Sequence, residues 1–201
     1  SDVSERDIFY KVLIDLKKLK GKKHNLMVIA PAHHRRIAAG ILSWGQDLDS
    51  ETYPFQCNLA YQVPRKKEAD YIGKQALEAM RDKIEAGEKP YSNQLVGFTL
   101  GGKPIEEYAP DFWLISDDGS TPIGYLTSPW YSPELGTNIA MGYVPYDKKT
   151  IGTSFKIHLP DEYCDTPGTP VDGVIVDMPF RPSVNPNARE LAKDKGRDTA
   201  F

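Results

Sequence analysis

The sequence predicts an α+β protein in which helices come first and a small closed β-barrel or sandwich follows. Three observations support this prediction. In the first 90 residues, apolar residues recur every three or four positions, as they do on one face of a helix. From Leu95 onward, short runs rich in β-branched and aromatic residues replace that pattern, and the polar stretch EKPYSN separates the two parts. With 201 residues and 40% apolar content, the chain is long enough to bury a core.

Three helices are predicted in the first part. They span residues 5–20, 32–45 and 70–87, and the first is amphipathic because its apolar residues share one face. The second contains Ala and Gly residues that let another element approach closely, so we expect one side of it to be buried. In the third, Asp70 is the candidate N-cap and Gly87 marks the end.

Six strands are predicted in the second part, with clusters of Gly, Pro, Asp or Ser between them. Six such runs without an intervening helix are typical of a small barrel or sandwich. We therefore divide the chain into residues 1–90, a β domain at residues 91–182, and a polar tail at residues 183–201. The runs are LVGFTL, FWLIS, PIGYLT, NIAMGYV, TSFKIHL and GVIVDM.

Charge and cysteine content narrow the range of partners. The chain carries 25 basic and 28 acidic residues, a net charge of -3, so no broad basic surface is expected to neutralise the phosphates of a nucleic acid. No apolar run approaches the ~20 residues that would span a bilayer. Cys57 and Cys164 form no CxxC motif, which fits a reducing compartment. The sequence therefore predicts a cytoplasmic protein that binds neither nucleic acid nor membrane.

The sequence HHRR at positions 33–36 stands at the start of the second predicted helix. Adjacent helical residues point about 100° apart, and no HExxH motif or second His cluster is present, so no metal site is predicted. Arg36 is placed where it could bind a carboxylate through two parallel hydrogen bonds. The alternative is an ion pair with Asp47 or Asp49 that contributes to stability alone.

The segment SWGQDLDSETYPFQ, residues 43–56, combines aromatic rings with carboxylates. Trp44 and Phe55 could stack on a flat heteroaromatic ligand, and Asp47 could accept hydrogen bonds from its ring N–H groups. The alternative interpretation is an ordinary loop whose aromatic side chains pack against the protein and bind no ligand.

A second aromatic pair, Trp130 and Tyr131, is predicted to lie on a loop between Pro129 and Pro133. Because the prolines restrict that loop, it would present both rings at little entropic cost. These residues indicate a site where the helical part meets the β domain. No GxSxG, GxGxxG or P-loop motif is present, so no catalytic residue is assigned.

Six segments taken in order resemble successive blocks of the glycine-cleavage T-protein (aminomethyltransferase) superfamily. This superfamily includes tetrahydrofolate-dependent demethylases of dimethylsulfoniopropionate and of methoxylated aromatic acids. The resemblance covers about residues 22–182. Its blocks are RRIAAGILSWGQDLDSETYPFQ, DYIGKQAL, NQLVGFTLGG, PIGYLTSPWYSPELGTNIAMGYVP, IGTSFKIHL and GVIVDMPFRP.

The resemblance implies a fold, a cofactor and a site. The first 90 residues would be the end of a folate-binding α+β region, and the β domain would be the family's C-terminal six-stranded antiparallel β-barrel. Tetrahydrofolate would be the cofactor and a small methyl donor the partner. The residues expected at the folate or substrate pocket are Arg36, Trp44, Asp47, Phe55, Trp130 and Tyr131.

Two departures from the family pattern indicate which branch of the superfamily the chain resembles. Ala38 stands where the family commonly has an acidic residue, and Ala32 stands where T-proteins have an arginine. Both departures favour the demethylase branch over a true glycine-cleavage enzyme. The opening SDVSERDIFYK resembles nothing in the family's N-terminal half. We therefore expect a C-terminal part of a longer protein or a shortened relative, which would need the missing half or a partner subunit.

The function predicted from this resemblance is transfer of a one-carbon group to tetrahydrofolate from a small O-, S- or N-methyl donor. One alternative is a non-catalytic folate-binding or subunit-interaction module. The other is a purely structural barrel whose aromatic residues belong to the core.

Overall fold

The computed structural model describes residues 3–24, 32–65, 67–107 and 113–180. It divides into two compact units, residues 1–32 and residues 33–201. The predicted polar tail lies outside the described residues, and the predicted domain boundary near residue 90 stays a prediction. Among the described residues, no helix is both long enough and apolar enough to cross a membrane.

The described residues of the first unit form the helix α1 (Val3–His24), which confirms the first predicted helix and extends it at both ends. Three of its described apolar side chains, Ile8, Val12 and Leu16, are 64%, 50% and 48% exposed.

Among its described residues, the second unit contains two α-helices, three single-turn 3-10 helices and six strands. The α-helices are α2 (His33–Ala38) and α3 (Lys74–Glu85). All six predicted strands are present, which confirms the change of pattern after residue 90. They are β1 (Asn93–Leu100), β2 (Trp113–Ser116), β3 (Pro122–Ser132), β4 (Thr137–Pro145), β5 (Ser154–His158) and β6 (Val171–Val176).

The strands close into a six-stranded antiparallel barrel in the order β1-β4-β3-β2-β5-β6, with β6 pairing back onto β1. The barrel alternative is therefore confirmed and the sandwich alternative is not. Closure removes the free sheet edges that short strands would otherwise expose.

Alternation along the strands builds two apolar clusters. The barrel cluster fills the interior and takes residues from every strand, among them Phe98, Ile115, Leu126 and Phe155. The outer cluster lies on the other face of β1, β3 and β4. Its members are Ile37, Ala38, Leu42, Cys57, Leu59, Leu95, Tyr125, Trp130, Ile139, Met141, Tyr143, Met178 and Phe180.

The helices α2 and α3 are shorter than predicted, and a glycine follows each of them. After α2, Gly40 adopts a φ of 66°, and Ile41 N–H donates to the carbonyl of Arg36 across the helix end. This Schellman motif ends α2, so Ile41 and the residues after it are not helical. Gly87, at a φ of 78°, ends α3 in the same way, as predicted.

The start of α3 differs from the prediction. Gly73 occupies the N-cap position and makes no side-chain capping bond. Asp70 instead accepts a hydrogen bond from its neighbour, Tyr71 N–H, so the predicted N-cap is wrong.

Candidate functional site

The short helix α2 lies on the outer face of β3 and β4. Ile37 and Ala38 are 1% and 2% exposed and bring the helix close to the strands. The small Ala38 side chain allows this close approach, as the sequence predicted. The same packing places Arg36, which precedes them, against the loop at residues 43–48.

Asp47 is the centre of a buried polar network on this face. Its side chain is fully buried, and each of its carboxylate oxygens accepts two hydrogen bonds. Oδ2 accepts from Arg36 Nη1 at 2.9 Å and from Ser43 N–H at 2.8 Å. Oδ1 accepts from the hydroxyls of Thr127 and Ser128, each at 2.5 Å. We call Asp47 and these four partners the Asp47 network.

A β-bulge explains how two consecutive strand residues reach one oxygen. Successive side chains on a regular strand point to opposite faces. In β3 the register to β4 shifts between Leu126 and Ser128, so Thr127 is the extra residue of a bulge. The bulge turns both hydroxyls toward Asp47, and the linear sequence gave no signal for it.

Arg36 uses all four N–H groups of its terminal nitrogens within the fold. Nη1 donates to Asp47 and, at 3.3 Å, to the carbonyl of Ile41. Nη2 donates to Gln46 Oε1 at 2.9 Å and to Ser128 Oγ at 2.8 Å. Of the two partners considered from sequence, Asp47 and Asp49, the structure selects Asp47. Because these four N–H groups already have acceptors in the protein, Arg36 has no pair of N–H groups left to bind a ligand carboxylate.

The backbone of the same loop is fixed from the barrel side. Tyr143 on β4 donates its hydroxyl to the carbonyl of Asp47 at 2.7 Å. Burial raises the pKa of the Tyr143 phenol, which keeps it protonated and able to donate. In the part of the chain that the structure describes, every buried side-chain nitrogen and oxygen has a hydrogen-bond partner.

Trp130 lies within strand β3, where it pairs with Ile139 of β4, so the predicted loop placement is wrong. Pro129 is tolerated in the strand because it stands next to the bulge. The Trp130 side chain joins the outer cluster. Tyr131 follows it on a regular stretch of the strand and points to the opposite face, so the two rings cannot form one wall.

His33, on the first turn of α2, stacks on Trp130 with ring centroids 5.0 Å apart and ring planes 21° from parallel. Burial, and secondarily the charge of Arg36, lowers the pKa of the His33 imidazole, while the Asp47 carboxylate opposes this shift. The lowered pKa favours the neutral form of the imidazole. The sequence had drawn attention to His33 only as a poor metal ligand.

The other two predicted site residues lie apart from this stack. Phe55 is 1% exposed, and its ring lies 5.0 Å below the guanidinium of Arg81, so it is a core residue. Trp44 is 71% exposed on the loop that carries Asp47. The structure thus gathers Arg36, Asp47 and Trp130 and adds His33 to them. No group of three or more His, Cys, Asp or Glu side chains among the described residues could hold a metal ion.

Comparison with known proteins identifies the barrel. Residues 93–180 match the family model of the glycine cleavage T-protein C-terminal barrel domain, a range that runs from the first residue of β1 to just beyond β6. The chain belongs to the glycine-cleavage T-protein superfamily.

Individual members of the superfamily match beyond the barrel. The aminomethyltransferase of Halothermothrix orenii is 35% identical over 145 residues, 72% of this chain and 36% of that protein. The dimethylsulfoniopropionate demethylase of Ruegeria pomeroyi is 31% identical over 143 residues, 70% of this chain and 36% of that protein. The chain therefore spans about a third of the length of these relatives.

A solved structure of the superfamily likewise matches most of this chain but only about a third of its own length. The glycine cleavage system aminomethyltransferase T from Bartonella henselae superposes with a TM-score of 0.57 at 26% identity, over 74% of this chain and 37% of that one. Relatives with aminomethyltransferase and with demethylase activity match at similar identity, so the preference for the demethylase branch stays a prediction.

Proposed function

We propose that this chain provides the C-terminal portion of a tetrahydrofolate-dependent one-carbon transferase that takes a methyl group from a small O-, S- or N-methyl donor. The observation that carries this proposal is the family match of the barrel, because its relatives include both aminomethyltransferases and a demethylase. The cytoplasmic location and the need for the N-terminal part or a partner subunit belong to the same proposal.

The site has the right form for a flat heteroaromatic ring. His33 and Trp130 form a stacked aromatic pair, and both rings are only partly buried. Flat ligands are bound by such rings with a few fixed polar groups nearby. When bound, tetrahydrofolate would supply the N5 nitrogen that accepts the one-carbon group.

The role of this chain in such a reaction is to hold and orient the reactants. Through Arg36 and Ser128, the Asp47 network fixes α2 and strand β3 relative to each other, and these two elements carry His33 and Trp130. A rigid site of this kind favours transfer by proximity, which is worth up to about 7–11 kcal/mol in well-oriented systems. Protonation of the leaving group would be tuned by groups that we do not assign.

A second function, a folate-binding or subunit-interaction module without catalysis, is favoured by one specific observation. Arg36 and Asp47, the two charged residues at the site, use their polar atoms within the fold. Neither is then available for proton transfer to a substrate. In this alternative, the catalytic groups would come from outside this chain.

Titration with tetrahydrofolate, followed by tryptophan fluorescence, tests the proposal. We expect saturable quenching, since Trp130 is one of only three tryptophans in the chain. The variants Trp130→Phe and Trp44→Phe locate the ligand. Loss of the quenching signal in the first variant places the ligand at the His33–Trp130 stack, whereas loss in the second places it at the exposed loop. No saturable quenching in the unaltered chain contradicts folate binding by this chain.

An assay of methyl transfer then separates the enzyme from the binding module. The 201-residue chain is incubated with tetrahydrofolate and dimethylsulfoniopropionate or a methoxylated aromatic acid, and methyl-tetrahydrofolate is quantified by mass spectrometry. The same assay is repeated with a version extended by the N-terminal region of a relative. Binding without turnover in both forms supports the module, and turnover in either form supports the enzyme.

A further inference from the structure

Exposed apolar side chains are concentrated in the segment that precedes the barrel. Among the described residues of the second unit, eight large apolar side chains are exposed, and five of these lie within residues 41–72. The five are Ile41, Trp44, Tyr53, Tyr61 and Ile72. Scattered exposed apolar residues are normal, whereas a group of them marks an interaction site. Trp44 has the largest side chain of the five and is 71% exposed, so it is the residue that most needs an explanation.

The backbone on both sides of Trp44 is held by hydrogen bonds. Before it, Ser43 N–H donates to Asp47 Oδ2 at 2.8 Å. After it, Gly45 N–H donates to the carbonyl of Leu48 at 2.8 Å. Because two hydroxyls of β3 bind the Asp47 carboxylate, this turn is held on the barrel. The indole is therefore presented on a rigid turn, and its burial in a partner would cost little conformational entropy.

The residues around Trp44 have the composition of a protein interface. The backbone of Ile41 is fixed by Arg36, which binds both its N–H and its carbonyl, while the Ile41 side chain is 59% exposed. Asp49 and Glu51, further along the same loop, are exposed carboxylates. Interfaces combine an apolar centre, often with a Trp, with a polar rim. We call residues 41–51 the Trp44 loop, and its composition favours a partner with an apolar pocket edged by basic residues.

The longer relatives provide a candidate for this partner. The mitochondrial aminomethyltransferase of Solanum tuberosum is 32% identical over 170 residues, 84% of this chain but 37% of that protein. A match that covers 84% of a 201-residue chain must begin before Ile41, so it includes the Trp44 loop. The loop therefore belongs to the part that is shared with a much longer protein. The unshared part of that protein is available to cover it.

We propose that the Trp44 loop is a docking surface for the N-terminal region that precedes this part in longer proteins of the superfamily, with Trp44 as the anchoring side chain. This inference rests on the proposed function, which includes a need for that region, and it names the surface used. The Asp47 network then fixes the loop in the form that the N-terminal region binds. Trp44 is in this view a protein contact, and not the wall of a ligand site that the sequence predicted.

Hydroxyl-radical footprinting, read by mass spectrometry, tests the docking surface. The 201-residue chain is compared with two versions extended by the N-terminal region of the Solanum tuberosum or the Halothermothrix orenii aminomethyltransferase, so that one poorly folded extension does not decide the result. Oxidation of Trp44 should be about fivefold slower in the extended versions, because an interface anchor is almost fully desolvated. Ile151, which is 62% exposed and precedes β5, is the internal control and should be oxidised equally in all three.

A substitution separates docking from a role within this chain. Trp44→Ala should leave the thermal unfolding of the 201-residue chain unchanged, because the side chain is mostly exposed there. In the extended versions it should lower the unfolding temperature and make Ile41 more readily oxidised. Ile151→Ala is the matched control and should change neither form. An equal loss of stability in the short and extended forms of Trp44→Ala would contradict docking.

Three further results would overturn the inference. Oxidation of Trp44 that is as fast in both extended versions as in the 201-residue chain would show that the N-terminal region does not cover the loop. A dimer of the 201-residue chain that Trp44→Ala dissociates, measured by light scattering, would assign the loop to a second copy. Protection of Trp44 by tetrahydrofolate alone would assign the loop to a ligand site.

This test can fail independently of the proposed function, because the footprinting is done without tetrahydrofolate or a methyl donor. If Trp44 stays exposed in an extended version that transfers methyl groups, only the docking surface is wrong. If Trp44 is protected in both extended versions and neither of them binds tetrahydrofolate or transfers a methyl group, the docking surface stands and the proposed function fails.

Discussion

The barrel and the segment at residues 33–60 that lies on it are held together by different forces. The barrel interior is filled by apolar side chains from all six strands. The segment also buries apolar residues, but an ion pair within it orients Asp47, and hydroxyl groups of β3 and β4 bind Asp47 and so fix the segment to these strands. Apolar contact is non-directional, whereas a network of hydrogen bonds permits one geometry. The comparison teaches that the barrel provides stability and that the Asp47 network provides the position of the site.

Each of the two regions contains one buried cysteine, whose reactivity shows whether that region has opened. Cys57 packs in the outer cluster, and Cys164 packs in the barrel cluster. Burial raises the pKa of the Cys57 thiol to about 11, and it also raises the pKa of Cys164. Since the thiolate is the reactive form, both cysteines should resist iodoacetamide in the folded protein. Their separate alkylation reports which region opens.

The largest expected effect comes from the barrel interior. Phe98 is fully buried and packs edge to face on Phe155, with ring centroids 6.2 Å apart. Phe98→Ala should lower the free energy of unfolding by about 3–5 kcal/mol, because the cavity adds to the lost burial. Urea unfolding followed by fluorescence measures this change. Both cysteines should become reactive over the same urea range, and protection of Cys164 alone would contradict the comparison.

A smaller and more local effect is expected from the Asp47 network. Asp47→Asn removes the charge that pairs with Arg36 and should lower the free energy of unfolding by about 1.5–3 kcal/mol, the range for hydrogen bonds to charged groups. Mass spectrometry after iodoacetamide treatment should show Cys57 alkylated while Cys164 stays protected.

The matched control for this variant is Asp49→Asn, two residues along the same loop. Asp49 is exposed, and among the described residues its carboxylate accepts hydrogen bonds from Glu51 and Thr52 of its own turn. Its replacement should leave both cysteines protected. Equal alkylation of Cys57 in the two variants would mean that the loop, and not the buried carboxylate, protects it.

The smallest expected effect concerns the backbone of the loop. Tyr143→Phe removes the hydroxyl that donates to the Asp47 carbonyl at 2.7 Å. Thermal unfolding should show a loss of about 1–2 kcal/mol, the cost of one buried acceptor without its donor. Tyr53→Phe, at a residue that is 46% exposed, should leave the melting temperature unchanged. A melting temperature for Tyr143→Phe equal to that of the unaltered chain would show that the hydroxyl contributes nothing.

Local sequence pattern predicted the strands well and the site only in part. All six strands were predicted because alternation and turn residues act over a few positions. Trp130 was assigned to a loop because Pro129 and Pro133 are poor strand residues, and only the bulge beside Pro129 makes the strand possible there. Asp47 was one of two partners considered for Arg36, and the further partners Thr127 and Ser128 were not foreseen because they stand about 80 positions or more further along the chain.

The sequence by itself predicted the six strands and the end of α3 at Gly87, since these depend on short-range preferences of backbone and side chain, and its family resemblance predicted the barrel. It did not predict the end of α2 near Gly40, because the predicted helix ran on to residue 45. The tertiary structure alone decided which polar groups Asp47 and Arg36 bind, and that His33 lies on Trp130. Those contacts join residues far apart in the chain and depend on an irregularity of strand β3. A one-residue bulge changes the direction of a side chain, and the position of the bulge cannot be predicted from the pattern of residue types.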